Sequence, residues 1–156
     1  MLQLRFITVS NKAPSWINEG FQEYAKRLSS TCRFELIEIP VEKRAHQKNV
    51  QPLIEKEGEK MLAAIKPGNT VLALDVQGKQ WSTEELALKF QGWLQEGKNL
   101  DFIIGGPDGL APACLQRAQI KWSLSPLTLP HLLVRVILAE QLYRAWSVLQ
   151  GHPYHK

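Results

Sequence analysis

Cysteine is nearly absent. The 156 residues include only Cys32 and Cys114, far apart and outside any C-x-x-C spacing. Such a pair offers neither a disulfide scaffold nor a zinc ribbon, and it suits a reducing cytoplasm. Long hydrophobic runs are absent too. The longest stretch free of charged residues is Trp122 to Val134, thirteen residues that include Pro126 and Pro130, whereas a membrane-spanning helix needs about 20 apolar residues. The opening Met1-Leu2-Gln3-Leu4-Arg5 has no basic start followed by an apolar core and a small-residue cleavage site, so no secretory signal is expected. Excess charge of one sign is small as well: 19 Lys and Arg against 15 Asp and Glu leave a formal +4. That permits an anionic partner without demanding one.

Several catalytic signatures are also missing. The first strand-like segment is followed by Ser10-Asn11-Lys12-Ala13-Pro14 rather than by G-x-G-x-x-G, so the usual dinucleotide fingerprint is not where it should be. There is no G-x-x-x-x-G-K-[ST] phosphate loop, no H-E-x-x-H and no cysteine cluster for a metal, and no G-x-S-x-G nucleophile turn.

What is present is an ordinary globular composition, 44% hydrophobic and 22% charged, with no repeat or linker that would split residues 1–156 into more than one domain. Strand-like and helix-like segments alternate. Leu2 to Val9 and Phe34 to Ile39 read as strands, the second stopped by Pro40. Ile17, Phe21, Tyr24 and Leu28 recur at helical spacing after Pro14 and Ser15. Val50 to Ile65 suggests a helix closed by Pro67-Gly68. Val71-Leu72-Ala73-Leu74 and Leu100 to Ile104 are short apolar runs of the kind buried on both faces of a parallel sheet. Between them, Ser82 and Glu85 form a capping box for a helix that exits at Gly97. A short helix from Pro112 to Ala118, a strand from Ile120 to Leu124 and a long helix from Leu132 to Leu149 follow. Five strands and five helices in alternation predict an α/β fold with a mainly parallel sheet flanked by helices.

In such sheets ligands lie beyond the carboxyl ends of strands. The rule selects the loop after Leu74, with Asp75 and Gly78, the loop Gly105-Gly106-Pro107-Asp108-Gly109, and the loop Ser125-Pro126-Leu127-Thr128-Leu129-Pro130. Each is either a tight turn or backbone that approaches a ligand closely. The last helix opens with His131. Arg135 and Arg144 on it are nine residues apart, which sets them on roughly opposite faces. Its apolar residues cover more than one face, as expected of a helix central to the core or buried in a subunit interface; a homodimer contact is the favoured expectation. The tail Gly151 to Lys156 reads as a frayed end, or else as a binding element built on His152, Tyr154, His155 and Lys156. Val41 to Asn49 is the most polar internal stretch and includes Lys43, Arg44, His46 and Lys48. It reads as a solvated loop or as a phosphate-contacting one.

Ile103 to Leu110 (IIGGPDGL), Trp122 to His131 (WSLSPLTLPH), Val134 to Trp146 (VRVILAEQLYRAW) and His152 to His155 (HPYH), in this order, resemble the bacterial large-subunit ribosomal RNA methyltransferase H family. The likeness extends through Phe34 to Pro40, Lys43-Arg44, Glu55 to Ala64 and Leu74 to Trp81. That family belongs to the SPOUT class of S-adenosylmethionine-dependent RNA methyltransferases. The resemblance implies a C-terminal part threaded into a deep trefoil knot. It implies S-adenosylmethionine held by Leu74, Gly106, Ser125, Pro126, Leu127, Thr128, Leu129 and Pro130. It also implies a homodimer whose active sites are each completed by the partner chain, and methylation of N3 of a pseudouridine in 23S RNA on the assembled ribosome, in the cytoplasm. Arg144, His131, Tyr154 and His155 are the candidates for substrate positioning or proton handling, with no residue singled out as the base. Lys43, Arg44, Lys48 and Arg135 are the candidates for RNA contact, and no metal is expected. A side chain at Gly106 is expected to enter the cofactor pocket and leave the fold intact. The alternatives are a non-catalytic ribosome-binding factor with the same fold and a small-molecule α/β enzyme. The intact loops and tail argue against the first, and the missing phosphate-loop motifs against the second.

Overall fold

The computed structural model describes residues 1–44 and 48–156; His46 of the polar stretch lies outside them. The elements, in chain order, are β1 (Leu2–Val9), α1 (Ser15–Arg27), β2 (Cys32–Ile39), α2 (Gln51–Ala64), β3 (Thr70–Gln80), α3 (Thr83–Glu96), β4 (Leu100–Ile104), α4 (Pro112–Arg117), β5 (Ile120–Ser123) and α5 (His131–Leu149), then a single 3-10 turn at Pro153–His155. The strands form one sheet in the order β2-β1-β4-β3-β5, and every pairing is parallel.

Alternation along the strands builds a core on each face. Leu4 and Phe6 of β1, Leu72 of β3 and Phe102 of β4 point to one side, where Phe21 of α1, Phe90 and Trp93 of α3, and Leu138 and Leu142 of α5 cover them. Ile7, Val9, Val71, Ala73 and Ile103 point to the other, against Ile54 and Met61 of α2 and Cys114 of α4. Arg5, buried between these layers, donates to Asp101 on β4 at 2.7 Å and to Glu35 on β2 at 3.1 Å. One guanidinium thereby ties three neighbouring strands, and a slip of any of them would strand a buried charge.

The predicted elements are all present. The capping box at Ser82 and Glu85 forms, and Gly97 ends α3 at φ +69°. The largest difference is β3, which runs on to Gln80. It pairs with β5 twice, through Leu74↔Trp122 and again through Lys79↔Trp122, and the residues between arch away from the sheet. At Gly78 a Cβ would stand 2.7 Å from the Lys121 carbonyl carbon, so this second approach to β5 requires glycine.

Helix α5 packs against both α1 and α3. Leu138, Ala139, Leu142, Tyr143 and Ala145 are buried within the single chain. Its apolar breadth is therefore mostly that of a helix central to the core, the first of the two readings. Half-buried Leu132, Leu133, Val136 and Ile137 remain on its first half. The tail differs from the frayed expectation as well: Pro153–His155 form a turn, and Tyr154 packs on Tyr143 with ring centroids 4.6 Å apart.

Candidate active site

The arch of β3 and the carboxyl ends of β4 and β5 converge on one cavity of about 500 Å³. Leu74, Gly106, Ser125, Leu127, Thr128, Leu129 and Pro130, all expected to hold the cofactor, line it; Pro126 does not. The three loops are shaped by three local causes. The first is the β3 arch, which lifts Asp75 and Val76 to the rim. The second loop closes on itself: the Gly109 N–H donates to the Gly106 carbonyl at 3.1 Å, Gly109 takes φ +84°, and a Cβ on Gly105 would collide with the Gly109 backbone. The third loop is pinned by its own serines. Ser123 Oγ donates to the Ser125 carbonyl at 2.9 Å, and the Leu127 N–H donates to Ser125 Oγ at 2.9 Å. Pro130 then starts α5, its carbonyl accepting from Leu133.

The resulting chamber has apolar walls, Leu74, Ile104, Leu110, Leu124, Leu129 and Val134, and a rim of loop backbone. Its size falls in the range of small-molecule sites, roughly 300–1,000 Å³. Asp75 and His131 are its ionisable residues. Asp75 lines the cavity although the motif alone does not single it out; its position directly after the apolar run Val71–Leu74 is the signal for it. Burial and the positive charge of Arg135 both push the His131 pKa below 6.5, so its imidazole is neutral at pH 7.

Arg135 is not a surface residue. It is fully buried, with Nη2 donating to Ser10 Oγ at 2.8 Å and Nη1 lying 3.4 Å from Glu38 Oε2. The expectation that it contacts RNA is therefore incorrect: its charge is spent inside the chain, joining α5 to the ends of β1 and β2. Arg44 is likewise committed, to Glu57 and to Asp108. Lys43 and Lys48 are exposed.

The other candidates gather elsewhere. Glu140 on α5 accepts from Arg144 Nε at 2.8 Å and from the Tyr154 hydroxyl at 3.3 Å. Arg144 stands 4.9 Å over the Tyr154 ring, and Arg27 of α1 approaches the same ring. Burial and the neighbouring Tyr24 and Glu140 hold the Tyr154 hydroxyl protonated well above its ordinary range. His155 Nδ1 faces the His152 carbonyl. Glu140, Tyr24 and Arg27, which organise this cluster, are not distinguished by the sequence pattern; the i, i+4 spacing of Glu140 and Arg144 is their one signal. His131 and Arg144 lie thirteen residues apart on one helix, about 20 Å at about 1.5 Å per residue. Within a chain, the cluster and the cavity are separate.

Among the described residues, no three His, Cys, Asp or Glu side chains come together to hold a metal ion. Burial pushes the Cys32 thiol up to about 12 and raises that of Cys114, so neither thiol is an activated nucleophile. Among the described residues, no helix is long and apolar enough to cross a membrane.

A cavity framed by the carboxyl-end loops of parallel strands defines a small-molecule-binding α/β domain, and its family is established: a family model described as "Predicted SPOUT methyltransferase" matches residues 2–155, so the chain belongs to the SPOUT methyltransferase family. The more particular likeness is to proteins named Ribosomal RNA large subunit methyltransferase H. The one from Pseudomonas syringae pv. syringae is 50% identical over 155 residues, covering 99% of this chain and 100% of that protein. The one from Ectopseudomonas mendocina is 49% identical with the same coverage. Among solved structures, a probable methyltransferase from Bordetella pertussis Tohama I superposes with a TM-score of 0.57 at 18% identity, covering 92% of this chain and 94% of that one; it shares the fold.

Proposed function

We propose that this chain is an S-adenosylmethionine-dependent methyltransferase that modifies N3 of a pseudouridine in 23S ribosomal RNA, acting as a homodimer on the assembled ribosome in the cytoplasm. The observation that carries the reading is the meeting of seven of the eight motif-assigned cofactor residues around one cavity. The full-length identity to Ribosomal RNA large subunit methyltransferase H proteins supports the substrate class. The trefoil knot belongs to the same proposal; the double pairing of β3 with β5 around the Asp75–Gly78 arch is the feature that favours it.

S-adenosylmethionine supplies a methyl group already activated on a sulfonium. The residues present fit it: apolar side chains suit its adenine and methionine stem, loop backbone groups suit its polar edges, and Asp75 offers a carboxylate to a cationic ligand. The chain's own task is to align the acceptor nitrogen and help it lose a proton. Alignment is worth about 7–11 kcal/mol in well-oriented systems. His131, neutral and on the cavity wall, is suited to accept a proton. Arg144 keeps its charge at any working pH and favours the imide anion, while Tyr154 offers a stacking face to an extruded base. Because cluster and cavity lie about 20 Å apart along α5, these roles meet only when the tail of one protomer reaches the cavity of its partner. Exposed Trp16 on α1, one turn before the Gly20 that abuts Val136 of α5, extends the half-buried apolar strip that a partner would cover. Exposed Lys43 and Lys48 are suited to phosphates.

The test is ligand-dependent melting followed by methyl transfer. S-adenosylmethionine or S-adenosylhomocysteine at 100 times its Kd stabilises by about 2.7 kcal/mol, and FMN or NAD leaves the melting temperature unchanged. Labelled methyl then passes to ribosomes from a strain lacking the gene. No shift with either methyl-donor ligand, or transfer to tRNA in place of ribosomes, overturns the proposal.

A further inference from the structure

We infer that Arg44 is a positioning residue for the cavity: it clamps the Gly105–Gly109 loop, through Asp108, to helix α2. The inference rests on the cofactor reading above only for what occupies the cavity; the clamp itself is a matter of geometry. Arg44 Nε donates to Asp108 Oδ2 at 2.9 Å, Nη2 donates to Glu57 Oε1 at 3.2 Å, and Nη1 donates to Glu57 Oε2 and to the Glu42 carbonyl. All three nitrogens are thus engaged, on three separate segments. Glu57 is 2% exposed, and its second support is the Glu42 N–H at 2.9 Å. A carboxylate so buried requires a fixed cation, and the planar fork of an arginine meets two acceptors at once where a lysine would meet one.

Asp108 is the link to the cavity. It does not line the chamber itself, but its neighbours Pro107 and Gly109 do. Gly106 and Gly109 are bridged across the loop, so holding the tip fixes the whole ring, including Gly106. From the other side, α2 is seated tightly under the same region: a Cβ on Gly58 would lie 2.7 Å from Ala111 Cβ, just beyond the loop. The buried Glu57 therefore anchors Arg44, and Arg44 anchors the loop. The assignment replaces the expectation of a phosphate contact, because an Arg44 drawn out to a phosphate would leave Glu57 buried and unpaired.

Asp108→Ala removes the link and keeps the Arg44–Glu57 pair, so the fold is spared; Arg44→Gln and Arg44→Lys are the companions. Hydrogen exchange of the ligand-free protein is the first readout. Amides of Gly106 and of residues 108–110 exchange about tenfold faster in Asp108→Ala and Arg44→Gln, as loss of a charged hydrogen bond implies, while those of β1 and β4 keep their wild-type rates. S-adenosylmethionine titration is the second, with Kd rising about tenfold in the same variants and the Arg44→Gln/Asp108→Ala pair no worse than the single changes. Unchanged exchange in Asp108→Ala overturns the clamp, as does an Arg44→Gln variant that alters only the KM for ribosomes. Failure of the wild-type protein to bind S-adenosylmethionine overturns the cofactor reading instead, and the exchange rates still decide the clamp.

Discussion

Gly106 abuts Val9 so closely that a Cβ on Gly106 would stand 2.9 Å from Val9 Cγ1 and 3.3 Å from the Val9 carbonyl oxygen. Glycine is required at this loop position because the end of β1 leaves no room. A side chain would press on the sheet first, contrary to the expectation that it would enter the pocket and leave the fold intact. Gly106→Ala is expected to cost about 1–3 kcal/mol, the usual range for overpacking, and to weaken S-adenosylmethionine binding as the loop lifts. Adding Val9→Ala relieves the contact and recovers part of both losses. Urea unfolding and ligand titration of the two single variants and the double variant measure this. Strict additivity would show that Val9 is not the obstacle.

Arg135 supports the same end of the sheet from α5. Its Nε is buried with no hydrogen-bond partner among the described residues, while its other nitrogens serve Ser10 and Glu38. Arg135→Met fills the space and removes the bonds. Glu38 is 39% exposed along its side chain and accepts from Ser10 at 2.9 Å, so water and Ser10 take up part of the loss. A decrease of about 1–3 kcal/mol in unfolding free energy follows from the lost charged hydrogen bonds. The salt dependence of ribosome binding stays as in the wild type, since no phosphate contact is removed. A shallower salt slope with unchanged stability would restore Arg135 to the RNA-facing set.

Arg135 also shows where reading the sequence stops. Strand alternation, the Ser82–Glu85 box and the glycine-rich strand ends make the sheet and the loops around the cavity legible, because each is a local pattern. An arginine nine residues from another on a helix carries no mark of which one is buried. Arg135 is buried because Ser10 and Glu38, 125 and 97 residues away, converge on it. The arch in β3 was hidden for a related reason: Gly78 is explained only by the backbone of Lys121. Local physics fixed the elements and their ends. Side-chain commitments to partners far along the chain, such as Arg5 to Asp101 and Arg44 to Asp108, carry no such local mark.

The environment of His131 makes a pH prediction with a definite sign. Burial, and then the charge of Arg135, lowers its pKa from 6.5 in the folded chain. The unfolded chain therefore binds a proton at higher pH than the folded one, and stability rises with pH across that interval. The contribution is complete above about pH 6.5 and is lost as pH falls from there through the lower folded value. Unfolding free energies of the wild type and His131→Gln, taken from pH 5 to pH 8, should diverge only in the acidic part. Parallel curves throughout would mean that His131 titrates freely in the folded chain.

The separation of Arg144 from the cavity makes the dimer testable without a structure of it. Arg144→Ala disables the cluster; Thr128→Trp, at an exposed residue of the cavity lip, blocks the chamber. Each variant alone is expected to be inactive on ribosomes. Mixed and allowed to exchange, equal amounts yield about half heterodimers, and each heterodimer holds one intact site, from the Arg144 of one protomer and the cavity of the other. Activity should then return to about one quarter of the wild-type value. A site contained within one chain cannot be rescued in this way, because no protomer in the mixture has both parts. A mixture as inactive as its components would therefore place Arg144 and the tail outside the reaction, with the packing of Tyr154 against Tyr143 as their remaining role.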